Sequence, residues 1–398
     1  MTARDKLLPL ESVRGIAALF VVVHHLNVIG IFTSSSIVSN AYVMVDFFFV
    51  LSGFVIALNY FDRIGSFQDV RNFMVKRFWR LYPLHLVMMF AAIGTESVKW
   101  GFEKLKPGVS VESTAFATVD WYAVINNLLL THALGTMNYV AFNYPSWSIS
   151  TEFWTYVIFA VFILSLGTSR NRNVMIILSL LLIAACLMFM WPLAIARGNV
   201  GMTNQGGFLR CVAGFFSGVI AFRIYRGLLD STFSRIADKV AWVCIAACFF
   251  LLAFYEKIQM TQYLLLLLMS SVLVLSLAMA KSDAILTRVL SLSGLVYLGT
   301  LSYSIYMTHA FVEFFIVNIT RYGLHFPVSP GDKGKLFLDF SGRPVLEVAF
   351  ILLVFSCVLV MSHFTYYHIE DRYRRGFRAT TKKPILQGDE RVAPNPVS

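Results

Sequence analysis

Charge is scarce in this chain: Asp, Glu, Lys and Arg make up 14% of its 398 residues, where an ordinary soluble domain carries about 25%. That scarcity excludes a soluble globular enzyme. Cysteine is scarce as well. Cys186, Cys211, Cys244, Cys248 and Cys357 all lie in apolar segments, without a CxxC pair or flanking histidines. This excludes a disulfide framework, argues against a zinc or redox site and leaves them as small core hydrophobes, so no metal is expected. There is no P-loop and no GxGxxG, which disfavours ATP and dinucleotides. Internal repeats are lacking, which speaks against an inverted-repeat transporter.

What fills the chain is apolar sequence, 58% by count, with a mean hydropathy of +0.69. A helix needs about 20 mostly apolar residues to cross a hydrocarbon core of about 30 Å. Such runs fall near 12–32, 41–60, 82–100, 148–168, 173–194, 207–225, 239–256, 260–280, 296–318 and 345–366. The expected fold is all-α, a polytopic integral membrane protein of about ten transmembrane helices. Residues 1–376 form one membrane body and 377–398 a disordered cytosolic tail.

The net charge of +11 sits in the short segments between apolar runs, not on a long basic face, so nucleic acid is set aside. The side holding the N-terminus carries 23 Lys and Arg and the opposite side nine. By the positive-inside rule the chain is N-in and C-in. A cleavable signal peptide over residues 1–36 is the rival reading of the first run, but that run is long and holds Arg14, His24 and His25. Longer segments at 101–145 and 319–344 are expected to cover the outer face. The stretch from Trp121 to Leu134 is too short for an eleventh span and reads as interfacial or re-entrant.

Ionisable groups at membrane depth cost at least about 2.5–3.5 kcal/mol each and therefore mark function or interhelical bonding. Arg14 and His25 are eleven residues apart, about 20° past three full helical turns, so they share a face, with His25 expected near mid-membrane. His24 points about 100° away and reads as a packing or hydrogen-bonding residue. At matching depth come Asp46, followed by Ser52 and Gly53; Ser146, Ser148, Ser150 and Glu152; and His309, with Tyr306 one turn before it. Two carboxylates and two histidines lining one cavity is the sharp reading; interhelical hydrogen bonds are the bland one. On the inner side, Lys76, Arg77 and Arg80 form a dense basic step. It serves as a topological and headgroup anchor, and guanidinium groups there also suit a phosphate-bearing cytosolic ligand.

Five motifs then stand in order along nearly the whole chain: LESVRGIAALFVVVHH, VDFFFVLSGF, KRFWRLYP, WSISTEFW and SYSIYMTH, with Tyr367-His368-Ile369-Glu370 at the end. As a set they resemble acyltransferase family 3, the bacterial integral-membrane O-acyltransferases. The resemblance implies transfer of an acyl group, usually acetyl, from cytosolic acyl-CoA to a hydroxyl of an outward-facing glycan or glycolipid, in the bacterial cytoplasmic membrane. The family's arginine and histidine, with ten residues between them, fall on Arg14 and His25, and its aspartate on Asp46. Glu11 stands where many members have Asp. The fused extracytoplasmic domain of some members has no counterpart here, which leaves acceptor recognition to the membrane body or to a separate glycan-assembly partner.

These readings give His25, Arg14, Asp46 and Glu152 as catalytic candidates, Lys76, Arg77 and Arg80 as donor-binding, and Ser150, Tyr306 and His309 as acceptor-binding. The donor, acetyl-CoA or another acyl-CoA, is a substrate rather than a tightly bound cofactor. His25 acts as general base or as transient acyl carrier, two routes that the sequence does not separate. Trp147 and Trp154 read first as interface anchors and second as sugar-stacking rings. The runner-up is a proton-coupled transporter or glycan flippase, since membrane histidines and carboxylates also build proton relays; a non-catalytic membrane sensor is a third reading.

Overall fold

The computed structural model of the chain describes residues 7–105, 115–167, 171–229, 231–331 and 335–374. The expected tail 377–398 lies outside the described residues. Ten long helices carry the fold: α1 Leu8–His25, α2 Met44–Tyr60, α3 Phe67–Leu105, α4 Trp147–Ser165, α5 Arg172–Arg197, α6 Gly207–Leu228, α7 Ala237–Phe254, α8 Met260–Met279, α9 Ser293–Asn318 and α10 Pro344–Thr365. Among the described residues, nine helices are long and apolar enough to cross a membrane, and α9 is not one of them. Its 26 residues are ample, but Ser302, Ser304, Thr308, His309 and Glu313 dilute its hydropathy. All five are buried inside the protein, so the polarity that hides this span from a hydropathy count is spent inward. The protein is a multi-pass, all-α membrane protein.

Apolar side chains face both ways. Phe54, Phe159, Phe215 and Phe216 fill the interior, while Ile177, Leu181, Met188 and Ile195 on α5 are more than half exposed, the pattern of a lipid-facing helix. The helix α3, about 58 Å long at 1.5 Å per residue, outreaches any bilayer core and continues through Pro83. Its first turns carry Lys76, Arg77 and Arg80 up to the expected span.

Two close helix pairs organise the body. The α1 and α9 backbones nearly touch: a Cβ on Gly15 would lie 2.6 Å from the Gly299 nitrogen, and one on Gly299 would collide with the Glu11 carbonyl. Likewise α2 and α6 meet where Gly53 faces the Phe215 carbonyl and Gly218 faces Val50. Small residues permit such approach, and in a bilayer dispersion then holds the pair. Both pairs are parallel. Ser12 donates to the Leu290 carbonyl, Arg14 to Ser302 and Gly299, and His25 meets His309. In the other pair Asp46 meets Arg210 and Phe54 meets Phe222. First with ninth, and second with sixth, must run the same way if every intervening helix crosses, and they do.

The end of the first helix and the sheet that follows it depart from the sequence expectation. The first helix stops at His25, not near residue 32: Leu26 turns extended, and the chain enters a three-stranded sheet of order β1-β3-β2. Its strands are β1 Val28–Ile29, β2 Val328–Pro330 and β3 Leu336–Asp339, with β1 parallel and β2 antiparallel to β3. The following turn is held by Glu347, whose Oε1 accepts from the Phe32 and Thr33 amides and the Thr33 hydroxyl at 2.8–3.0 Å. The 121–134 stretch forms an eight-residue helix, Trp121–Leu128, with Trp121, Tyr122 and Ile125 exposed, in keeping with an interfacial segment.

Topology is checked by single cysteines in a cysteine-free background, labelled from outside intact cells with an impermeant maleimide. Ser66→Cys should be protected, and Thr136→Cys and Ser341→Cys should react. Labelling of position 66 from outside would reverse the orientation drawn from the basic asymmetry.

Candidate functional site

Helical phase puts Arg14 and His25 on the same face, and both touch α9. The Arg14 Nε donates to Ser302 Oγ at 2.7 Å and its Nη2 to the Gly299 carbonyl at 2.9 Å, while Nη2 also pairs with Glu11 at 2.7 Å. At the other end His25 Nδ1 lies 2.9 Å from the Val21 carbonyl and 3.3 Å from His309 Nε2. A carbonyl only accepts, so Nδ1 carries the proton and Nε2 keeps its lone pair. His24 bonds elsewhere, its Nδ1 donating to the Val38 carbonyl at 2.9 Å.

Arg14 and His25 belong to two different cavities. One, inner in the orientation expected from the basic asymmetry, has a volume of about 160 Å³ and is lined by Glu11, Arg14, Ser52, Arg77, Arg80, Glu152, Tyr156, Tyr303 and Tyr306. Arg77 donates to Tyr60 Oη at 3.1 Å and lies over the Tyr60 ring. Glu370 accepts from Ser304. The carboxylate of Glu152 accepts from Ser52 at 2.6 Å and from Tyr156 at 2.5 Å. Three guanidinium groups around a narrow hollow can hold an anion and a slender chain.

The outer cavity is far larger, about 1410 Å³, and is lined by His24, His25, Asn143, Tyr144 and Glu313, among others, with Arg321 and Lys335. The Tyr144 ring packs 4.7 Å from that of His25, and its hydroxyl donates to Glu313 Oε2 at 3.3 Å. Between the cavities stands fully buried His309, 5.1 Å ring to ring from His25 and 5.9 Å from Tyr306. Tyr306 thus walls the inner cavity and touches the histidine pair from below.

Several expected members of the site are elsewhere. Asp46 is not beside a histidine. It forms a buried pair with Arg210, Oδ1 at 3.1 Å from Nε and Oδ2 at 2.5 Å from Nη2, and takes a third bond from Tyr263. Trp147 packs under the same guanidinium at 5.3 Å, an interior role and not an interface anchor. Ser150 donates to the Leu130 carbonyl and accepts from the Ala133 amide, so it ties down the 130–133 turn instead of facing an acceptor. Trp154 Nε1 bonds that same carbonyl. Glu152 faces the inner cavity, which divides the expected single cluster into two. Lys76 is exposed and does not line the inner cavity, because it lies about 100° from Arg77 on α3.

The family profile described as an acyltransferase domain matches residues 9–363, from the Arg14 motif through the His309 motif and α10. The chain belongs to acyltransferase family 3. It is 25% identical over 394 residues to YrhL of Bacillus subtilis, covering 95% of this chain and 56% of that protein. It is 26% identical over 314 residues to the peptidoglycan O-acetyltransferase OatA of Listeria monocytogenes, covering 75% of this chain and 48% of that protein. Over 120 residues, 29% of this chain and 27% of the relative, it is 37% identical to the acyltransferase MdmB of Streptomyces mycarofaciens. The chain thus spans about half the length of the first and second of these relatives. No solved structure matches it.

Tyr144 and Glu313 are site residues that the sequence reading passed over. Glu313 follows His309 by four residues, so the phase argument that joined Arg14 to His25 also places it beside the histidine. Tyr144 comes from the turn before α4, and nothing local to it points toward His25.

The buried Asp46–Arg210 pair should act on stability. Asp46→Asn or Arg210→Gln leaves a charge unpaired inside the protein, at a cost of about 3–5 kcal/mol. Each should markedly lower the melting temperature of detergent-solubilised protein, and Asp46→Leu combined with Arg210→Met should recover most of it. Single variants melting with wild type would show that the pair does not hold α2 to α6.

Proposed function

We propose that this protein moves an acyl group, acetyl by preference, from cytosolic acyl-CoA to a hydroxyl of a glycan on the outer face of the bacterial cytoplasmic membrane. One observation carries the reading. His25 opens to the outer cavity with a free Nε2 lone pair, on the helix whose other end, at Arg14, joins Arg77 and Arg80 around the inner cavity. The outer cavity is roomy enough for a sugar, while the inner one suits a narrow pantetheine arm whose phosphates stay at the cytosolic mouth. The name of the Listeria relative, a peptidoglycan O-acetyltransferase, supports a glycan acceptor.

In this reading the arm enters past Tyr306 and brings the thioester carbonyl to His25. The acceptor hydroxyl attacks that carbon, and its proton passes to Nε2. Collapse of the tetrahedral adduct breaks the carbon–sulfur bond, and the imidazolium returns the proton to the departing thiolate. With its Nδ1 proton on the Val21 carbonyl, the His25 imidazole has Nε2 free to accept. Arg14, Arg77 and Arg80 bind donor phosphates with charge-assisted hydrogen bonds. A proton-coupled transporter would use the same histidines without consuming acyl-CoA, so acyl transfer by purified protein in detergent separates the two.

His25→Ala and His25→Gln should each cut transfer by at least about a hundredfold with folded protein retained, because neither side chain is a base near neutral pH. His24→Ala should keep substantial activity. Transfer at near wild-type rate by His25→Gln would remove His25 from the chemistry. Arg77→Gln or Arg80→Gln should weaken acetyl-CoA binding in isothermal titration, and added salt should cost the variant less than wild type, since fewer charge contacts remain to be screened. Unchanged donor affinity in both would return these arginines to a purely topological role.

A further inference from the structure

The outer cavity holds one group that the reaction as derived does not use. Glu313 is 5% exposed and lines this cavity, yet only one of its oxygens is engaged, by the Tyr144 hydroxyl at 3.3 Å. The other, Oε1, accepts no hydrogen bond among the described residues. An unpaired buried carboxylate oxygen is costly, and native proteins satisfy nearly all such atoms, so an exception asks for a partner that arrives from outside. No cation pairs with Glu313 among the described residues, although five ion pairs occur elsewhere.

The position is specific. Glu313 lies one turn beyond His309 on α9, on nearly the same face. Tyr144 is wedged between the two reactive features: its ring packs 4.7 Å from His25 and 5.7 Å from His309, and its hydroxyl reaches Glu313. The phenol donates its only proton to the carboxylate, which leaves the phenol oxygen free to accept. The second carboxyl oxygen and the phenol oxygen therefore lie side by side, both able to accept. Their chemical complement is a pair of adjacent hydroxyl groups, as on a sugar ring, and not an anion, an amide oxygen or an ammonium head.

We propose that Glu313, with Tyr144, is the anchor for the acceptor: its unpaired oxygen takes a hydrogen bond from a sugar hydroxyl and so presents the neighbouring hydroxyl to His25 Nε2. The proposal rests on the acyltransferase reading above. Glu313 is a binding and positioning residue in it, and the proton of the attacking hydroxyl still goes to His25. Glu313→Gln turns one acceptor oxygen into a donor amide, so it weakens the bond to a hydroxyl donor without emptying the site. Tyr144→Phe takes away the hydroxyl and keeps the ring against His25.

The test uses the full-length protein in detergent, with acetyl-CoA as donor and, as acceptor probe, envelope glycan extracted from cells deleted for this gene. Glu313→Gln and Tyr144→Phe should raise the half-saturating glycan concentration by about tenfold or more, and acetyl-CoA affinity by isothermal titration should stay within about twofold of wild type. Glu313→Asp, which keeps both oxygens on a shorter stem, should fall between. Melting curves confirm that the variants are folded, and if Glu313→Gln is not, Glu313→Asp and Tyr144→Phe decide by the same measurement. Half-saturation unchanged in folded Glu313 and Tyr144 variants would overturn the anchor, as would a parallel loss of acetyl-CoA affinity. Failure of wild type itself to acetylate the extract would instead sink the acyltransferase reading, so the two ideas fail in different ways.

Discussion

The approach of α1 to α9 at Gly15 and Gly299 is the constraint from which the site follows. With no Cβ on either residue, the two backbones come close enough for Arg14 to bond the Gly299 carbonyl and Ser302, and for His25 to meet His309. In lipid there is no hydrophobic drive to bring helices together, so packing and interhelical bonds must do it. A larger side chain at the crossing would separate guanidinium from Ser302 and imidazole from imidazole at once. The same two glycines therefore set both the Arg14 end of the helix and the histidine pair, about 16 Å apart along it.

In the proposed reading that geometry gives the enzyme two entrances. Arginines gather at one end, the carboxyl and phenol oxygens of Glu313 and Tyr144 at the other, and the Tyr306–His309–His25 row lies between. A charged donor that cannot cross the bilayer and a glycan that is already outside would then meet at a single base, and only the acyl group would change sides. The parallel β1–β3 pairing supports this arrangement. It ends α1 at His25 and ties the next residues to the 336–339 strand, which fixes the histidine at the cavity floor.

Much of the fold was legible because membrane insertion imposes length and apolarity on each span. The polar α9 was legible too, since its motif and length outweigh its modest hydropathy. Phase along one helix was reliable: Arg14 and His25 do share a face, and His24 does not. Relations between helices were not legible. Asp46 and Arg210 are 164 residues apart, and nothing in either segment says that one neutralises the other. Ser150 looked like part of a polar site, but its hydroxyl satisfies a turn that only the folded chain creates. The sheet was invisible because strands of two to four residues leave no alternating pattern, and β1 pairs with residues some 310 positions away. The end of the first helix was misplaced for the same reason, as the apolar run continues beyond the point where the sheet ends the helix.

Transfer across the bilayer tests the central claim most directly. Protein is reconstituted into sealed vesicles with labelled acetyl-CoA trapped inside and glycan from deletion cells added only outside. The two-cavity account predicts label on the external glycan, formed without leakage of acetyl-CoA. Product appearing only when donor and glycan share one compartment would contradict it, because His25 would then be served from one side alone.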